Sequence, residues 1–275
     1  MPAITTAKLR ASNTHLLYLE LMKRAIITGA AQGIGRRTAE IFAAAGYALA
    51  LMDLQPCKST IESVRATGCE VAEFIGDLSD ESFVEAAAAA IGDVQVDVLV
   101  NNAGISSIAP AETIDAKTFR RVLEVNLVAP FLLSRAFGKK MLQQRSGCVV
   151  NVASIAGLFG VADRAAYNAS KHGLIGLTRT LASEWGGRGV RCNAVCPGWV
   201  KTEMDAADQS NGTYTDDDIT GVNPMGRFAS PDDIARAILF LADPVQSGFV
   251  NGHALVVDGG WTTDASWQSL RLSHR

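Results

Sequence analysis

"RAIITGAAQGIG", residues 24–35, decides the fold. Its first half is a short apolar run, the pattern of a buried strand. Its second half, "TGAAQGIG" at 28–35, carries Gly29, Gly33 and Gly35 and leads into a helical pattern from about Gly33 to Ala45. A strand, a glycine-rich turn and a helix in that order open a doubly wound α/β sheet. Glycine lets the chain turn sharply and brings backbone N–H groups close to a pyrophosphate, whose charge the helix N-terminus favours. In this setting Gly29, Gln32, Gly33, Ile34 and Gly35 read as a dinucleotide-binding loop. The spacing is GxxxGxG and not the commoner GxGxxG, so the turn is expected to differ in detail.

Working outward, "YALALMD" (47–53) is the next strand and ends on Asp53. An acid at roughly 20 residues past the loop can accept from the adenosine ribose hydroxyls and repels a 2′-phosphate. Leu54 follows it, Gln32 sits in the loop, and Arg36 and Arg37 lie inside the helix, so no cation is offered to that phosphate. NAD is therefore favoured over NADP. Further strands are expected at 70–77, 96–104, 147–154, 190–198 and 253–260, with long helices at about 115–137 and 164–185. Continuous apolar strands alternating with helices imply a parallel sheet covered on both faces, with right-handed crossovers. The expectation is a single-domain Rossmann fold of about seven strands over residues 23–262, with an extension at 1–22 and a tail at 263–275. Ligands in such a sheet bind beyond the C-terminal strand ends. Those ends are Thr28–Gly29, Asp53, Asp77, Asn101–Gly104, Ser154 and Pro197–Gly198.

The bulk composition narrows the function class. The chain has 275 residues, 48% apolar and 19% charged, with a net charge of −3. That is enough apolar material for one large core. No Lys/Arg cluster suggests nucleic acid, and no stretch reaches the roughly 18 apolar residues of a membrane span. Cys57, Cys69, Cys148, Cys192 and Cys196 are odd in number and scattered, which fits reduced core residues of a cytoplasmic protein. No His or further Cys completes a metal set around Cys192 and Cys196. The first 21 residues lack a signal peptide's apolar run. They read as a loosely held extension before Met22, with a transit peptide as the alternative.

In "RAAYNASKHG" (164–173), Tyr167 and Lys171 sit four apart, on one face of a helix. With "TGAAQGIG", Asp77 after the third strand, "NNAG" at 101, Asn126 in "VLEVNL", Ser154 in "NVAS" and "PGWVKTEM" at 197, the chain resembles the short-chain dehydrogenase/reductase family over residues 23–262. The resemblance implies an oxidoreductase that moves a hydride between a nicotinamide cofactor and a secondary alcohol or ketone. By resemblance, Tyr167 is the general acid/base and also touches the cofactor, and Lys171 favours its phenolate and donates to the nicotinamide ribose. Ser154 holds the substrate oxygen, and Asn126 holds a water on a proton path. Asp77 and Leu78 would flank the adenine, while Asn102, Ala103 and Gly104 would let the cofactor approach. Asn101 would hold the backbone between strands. Pro197, Gly198, Val200 and Thr202 would meet the nicotinamide side. His172 points away and reads as structural.

The polar stretch from about Thr202 to Phe228 corresponds to a mobile lid in the family. Pocket candidates are Ser106, Phe159, Val161, Asp163, Arg164 and Trp199, with Arg164 either binding a carboxylate or pairing with Asp163. The tail, with Trp261, Trp267, Arg271, His274 and Arg275, would pack at a subunit contact of a homotetramer or complete a partner's pocket. The expected substrate is a small molecule: a polyol, sugar or sugar acid. Two other readings stand beside it, a 3-oxoacyl thioester reductase using NADPH and a catalytically silent NAD-binding protein.

Overall fold

The apolar runs become strands trimmed at their ends, because the flanking Gly, Asp and Asn residues take turn conformations. In the computed structural model, which describes residues 22–210, 212, 214–264 and 266, these are β1 (Arg24–Thr28), β2 (Ala48–Asp53), β3 (Val71–Ile75), β4 (Val98–Asn101), β5 (Gly147–Val152), β6 (Val190–Pro197) and β7 (Ala254–Val257). Residues 1–21 and the tail residues Trp267, Arg271, His274 and Arg275 lie outside the described residues. All seven strands pair in parallel, in the order β3-β2-β1-β4-β5-β6-β7. The chain winds one way from β1 to β3, then restarts at β4 on the other side of β1. The order reverses there, so the crevice between the ends of β1 and β4 is the natural ligand site.

Ile26 and Ile27 are adjacent on β1 and fully buried, so both faces of the central sheet are covered. Ile27 packs with Leu49, Leu51 and Phe42 of α1 (Gly33–Ala44), and with Ile234 and Ile238 of a helix at Pro231–Ala242. Ile26 packs with Met52, Leu99, Phe137, Met141 and Trp185 on the opposite face. The edges depart from expectation. β3 is exposed at Ala72, Glu73 and Ile75, and β7 is only half-buried, because an edge strand has a neighbour on one side alone.

The helix expected at 115–137 continues to Gln144 and is not uniform. It comprises Ala116–Leu123, a wider π turn at Glu124–Val128, and Ala129–Gln144. It passes through Gly138 because a side chain there would meet the Trp185 ring at 2.6 Å. A π turn inserts one residue into the helical frame and often marks a functional position. Here it carries Asn126.

The buried cysteines predict an alkaline limit. Cys57, Cys148, Cys192 and Cys196 are nearly inaccessible. Burial pushes the first two thiols and Cys196 from 9.0 to about 12, 11 and 11, and Cys192 higher still. Above pH 9 the unfolded chain releases these protons while the folded chain keeps them, so stability falls as pH rises, by about 1.4 kcal/mol per thiol per pH unit. The four together should remove on the order of 5 kcal/mol by pH 10, of which the fading burial penalty of Lys171 returns about 2.5 kcal/mol. Urea unfolding at pH 7 and pH 10 measures this, and an unchanged midpoint would contradict it.

Candidate active site

The glycine turn is held by β4. Gly29 and Gly33 adopt φ of +64° and +54°, which favours glycine. A side chain on Gly35 would meet the Gly29 carbonyl oxygen at 2.0 Å, so Gly35 lies beneath the turn and not in the cleft. The Asn102 amide donates to the Thr28 and Gly29 carbonyls at 2.9 and 3.1 Å, and Thr28 Oγ1 accepts from the backbone N–H groups of Asn102 and Ala103. The first turn of α1 has no acidic residue, and Gln32 makes no side-chain cap. These uncapped N–H groups and the glycine cradle fit a pyrophosphate.

A cleft of about 420 Å³ runs from this turn across the strand ends. At one end are Asp53, Leu54, Asp77 and Leu78. Asp53 accepts from the backbone N–H groups of Ala31 and Gln55, both at 2.9 Å, so it braces the turn and keeps further lone pairs for a ligand. Arg36 is paired with Glu40, and Arg37 with Glu40 and Asp232, so neither guanidinium enters the cleft. Arg121 does line it and pairs with Asp77 at 2.8 Å. Against desolvation, the largest single influence, hydrogen bonds from Ser79 and then the Arg121 pairing hold the Asp77 carboxyl below its usual range.

At the other end, Ser154 follows β5, while Tyr167 and Lys171 project from α6 (Ala165–Trp185). The ammonium of Lys171 donates to the Val152 carbonyl at 2.8 Å and lies 5.5 Å from the Tyr167 ring centroid. It is 3% exposed, and burial lowers it from 10.5 to about 8. Burial pushes the Tyr167 phenol up, against a hydrogen bond with Ser154 and the charge of Arg164. The expected lowering of the phenol by Lys171 is therefore absent in the protein alone, since the ammonium is turned to Val152. Gly104 leaves room beside these groups, because a side chain there would come within 3.2 Å of Asn126 Oδ1 and 3.6 Å of Lys171 Nζ.

Asn126 is fully buried and stands behind the cleft. Its amide donates to the Ile105 carbonyl at 2.9 Å and to Ser170 Oγ at 3.1 Å, while its Oδ1 accepts from Ile105 N–H at 2.8 Å. The side chain is thus held by the backbone of Ile105 after β4 and by Ser170, with one Oδ1 lone pair left over. Asn101 reaches away from the cleft, donating to Ser134 and Asn151. His172 is exposed and contacts the Asn168 carbonyl.

The substrate end differs most from expectation. Arg164 pairs with neither a free opening nor Asp163. Its Nη1 donates to Asp208 Oδ2 at 3.0 Å and to Ser106 Oγ at 2.8 Å, and its guanidinium lies 5.5 Å from the Trp199 ring centroid. Asp163 instead adopts φ of +59°, which directs its backbone carbonyl to Ala109 N–H and its side chain elsewhere. Phe159 is 45% exposed and does not line the cleft, because the chain turns outward after the short helix Ile155–Gly157. Asp208 belongs to a helix at Glu203–Ser210, followed by one at Asp216–Thr220, both within the expected lid. The lid's roots are pinned together: Val200 bridges to Ala229, with Ala229 N–H donating to the Trp199 carbonyl at 2.9 Å. Within the lid, Tyr214 donates to Asp205 at 2.8 Å and packs edge-on against Trp199. Pro197, Gly198, Val200, Thr202 and Val161 line the cleft, as do Gln32, Ile34 and Ala103. Arg121, Glu203 and Asp205 line it too and had no local signal in the sequence.

A family model described as Enoyl-(Acyl carrier protein) reductase matches residues 29–262. D-threitol dehydrogenase of Mycolicibacterium smegmatis is 40% identical over 246 residues, covering 87% of this chain and 93% of that protein. The L-tagatose-forming galactitol 2-dehydrogenase of Cereibacter sphaeroides is 39% identical, covering 86% and 94%. Among solved structures, a candidate NAD(P)-dependent gluconate 5-dehydrogenase from Beutenbergia cavernae, with NADP bound at low occupancy, is 40% identical with a TM-score of 0.83, covering 90% of this chain and 99% of that one.

Proposed function

This chain belongs to the short-chain dehydrogenase/reductase family of NAD(P)-dependent oxidoreductases, and from that premise we propose that it is an NAD-dependent dehydrogenase oxidising a secondary hydroxyl of a polyol, sugar or sugar acid. The observation that carries this reading is the meeting of Ser154, Tyr167 and Lys171 at one end of a cleft whose other end carries Asp53. When bound, an oxidised nicotinamide would accept the hydride from the carbinol carbon and place a positive ring beside the phenol. Ser154 hydrogen-bonds the substrate oxygen and Tyr167 takes its proton. Lys171, freed from Val152, donates to the nicotinamide ribose and stabilises the phenolate by its charge. Asn126 fixes the loop after β4, which keeps Gly104 and Ile105 in place around the site. Asp53, Asp77, Leu78 and the glycine turn hold the adenosine and pyrophosphate portion.

NAD is the cofactor this site suits. Asp53 repels a 2′-phosphate, and among the described residues the cations nearest in sequence, Arg36 and Arg37, are tied to acids. A like-charge clash of several kcal/mol gives NAD an advantage in kcat/KM of roughly 100-fold over NADP. The experiment follows reduced cofactor from NAD and from NADP with D-threitol, galactitol, D-gluconate, a hydroxyacyl thioester and cyclic alcohols. Turnover of the thioester with NADP would replace this reading by the acyl reductase, and cofactor binding without turnover would replace it by the silent binder. The reading includes a cytoplasmic homotetramer, which would cover the exposed Phe131, Phe240, Val245 and Phe249. Sedimentation tests the assembly.

A further inference from the structure

We propose that Asp208 is a charge-selecting residue, which commits Arg164 to an internal ion pair so that the site takes uncharged polyols in preference to sugar acids. This deepens the dehydrogenase reading and rests on it. Arg164 and Ser106 face the cleft, and Asp208 stands behind them on the lid helix. The three form a closed triangle: Arg164 Nη1 to Asp208 at 3.0 Å, Arg164 Nη1 to Ser106 at 2.8 Å, and Ser106 Oγ to Asp208 at 3.3 Å. The ion pair is largely out of water, with side chains 10% and 18% exposed. Breaking such a pair leaves an uncompensated charge, which is costly.

The rest of the cleft offers a carboxylate nothing better. Among the described residues its lining cations are Arg121, Arg164 and Lys171. Arg121 is paired with Asp77, and Lys171 belongs to the proton-transfer end. Of the lining acids, Asp205 accepts from Tyr214 within the lid, while the Glu203 carboxylate lies against the glycine turn at Gly33. Lys201, the nearest lid cation, is taken by Asp205 and Asp216. A sugar acid would meet only the remaining guanidinium N–H groups, whose charge Asp208 already balances, and would lie close to that second carboxylate. A neutral diol meets no such repulsion: the remaining guanidinium N–H groups donate to one hydroxyl oxygen, and Ser106 Oγ exchanges hydrogen bonds with the next. Rejection by an introduced repulsion is a common route to specificity.

The test compares galactitol with D-gluconate, by kcat/KM with NAD and by calorimetric binding to the protein loaded with NADH. The wild-type protein should favour galactitol by roughly 100-fold, and Asp208→Asn, which keeps the shape and removes the charge, should cut that preference at least 10-fold by raising gluconate turnover. If melting shows that variant unfolded, Arg164→Gln serves instead, and gluconate should fall further behind while the KM for galactitol rises about 10-fold. Equal or better use of gluconate by the wild-type protein, or an unchanged ratio in the variants, overturns the assignment while leaving the dehydrogenase intact. Use of neither compound overturns the assignment, and failure of D-threitol and the cyclic alcohols as well overturns the dehydrogenase reading on which it rests.

Discussion

Tyr167→Phe lowers turnover roughly 1000-fold while leaving the fold as it is. Phe keeps the ring that α6 places against the cleft and removes only the hydroxyl that exchanges a proton with the substrate. Ser154 then holds a substrate oxygen that has no base beside it. Because burial pushes the phenol up, its base form is scarce at neutral pH. Alcohol oxidation, which needs that form, should accelerate as pH rises, and ketone reduction, which needs the acid form, should slow. Steady-state rates in both directions between pH 6 and pH 9 check this. A variant retaining a tenth of wild-type activity, or oxidation that slows as pH rises, would refute the assignment.

Lys171→Met gives an inactive protein that is more stable than its parent at pH 7. Burial lowers the ammonium from 10.5 to about 8, a penalty of about 3 kcal/mol on folding wherever both states carry the charge. Met fills similar volume without it. The variant gives up the hydrogen bond to the Val152 carbonyl, worth about 1 kcal/mol, so the net gain is about 2 kcal/mol. Between pH 8 and 10.5 the folded wild-type protein binds fewer protons than the unfolded chain, so its penalty fades as pH rises and the two proteins become equally stable near pH 10, where the remaining penalty matches the hydrogen bond. The variant also lacks a buried base whose loss of charge opposes the alkaline loss from the thiols, so its stability should fall more steeply above pH 8. Urea midpoints of both proteins at pH 7, 8.5 and 10 measure the difference. A variant less stable than wild type at pH 7 would show that Lys171 holds α6 against β5 by more than its charge costs.

The sheet was legible because its central strands are buried on both faces and therefore read as unbroken apolar runs. The glycine turn was legible because Gly29 and Gly35 are sterically compulsory. Tyr167 and Lys171 could be paired from helical spacing, and their neighbourhood came from family resemblance. What escaped was contact between distant parts of the chain. For Arg164 the sequence offered a substrate carboxylate or the adjacent Asp163, whereas the lid brings Asp208 across 44 residues. Arg121 reaches Asp77 across the strand ends, and no periodicity announces that. Asn126 stands behind the cleft, where Ile105 and Ser170 take its amide. Lys171 was given a partner in Tyr167, while the Val152 carbonyl is the nearer one.

The pinned lid roots at Val200 and Ala229 bear on how such an enzyme can change over generations. A segment whose two ends are held side by side can gain or lose residues at small entropic cost, since closing a loop depends only weakly on its length. Tyr167, Lys171 and Ser154 lie outside that segment, on elements anchored in the sheet. Insertions between the two pins can therefore remodel what is admitted without disturbing the proton-transfer machinery, and descendants with new appetites need not pass through a dead ancestor.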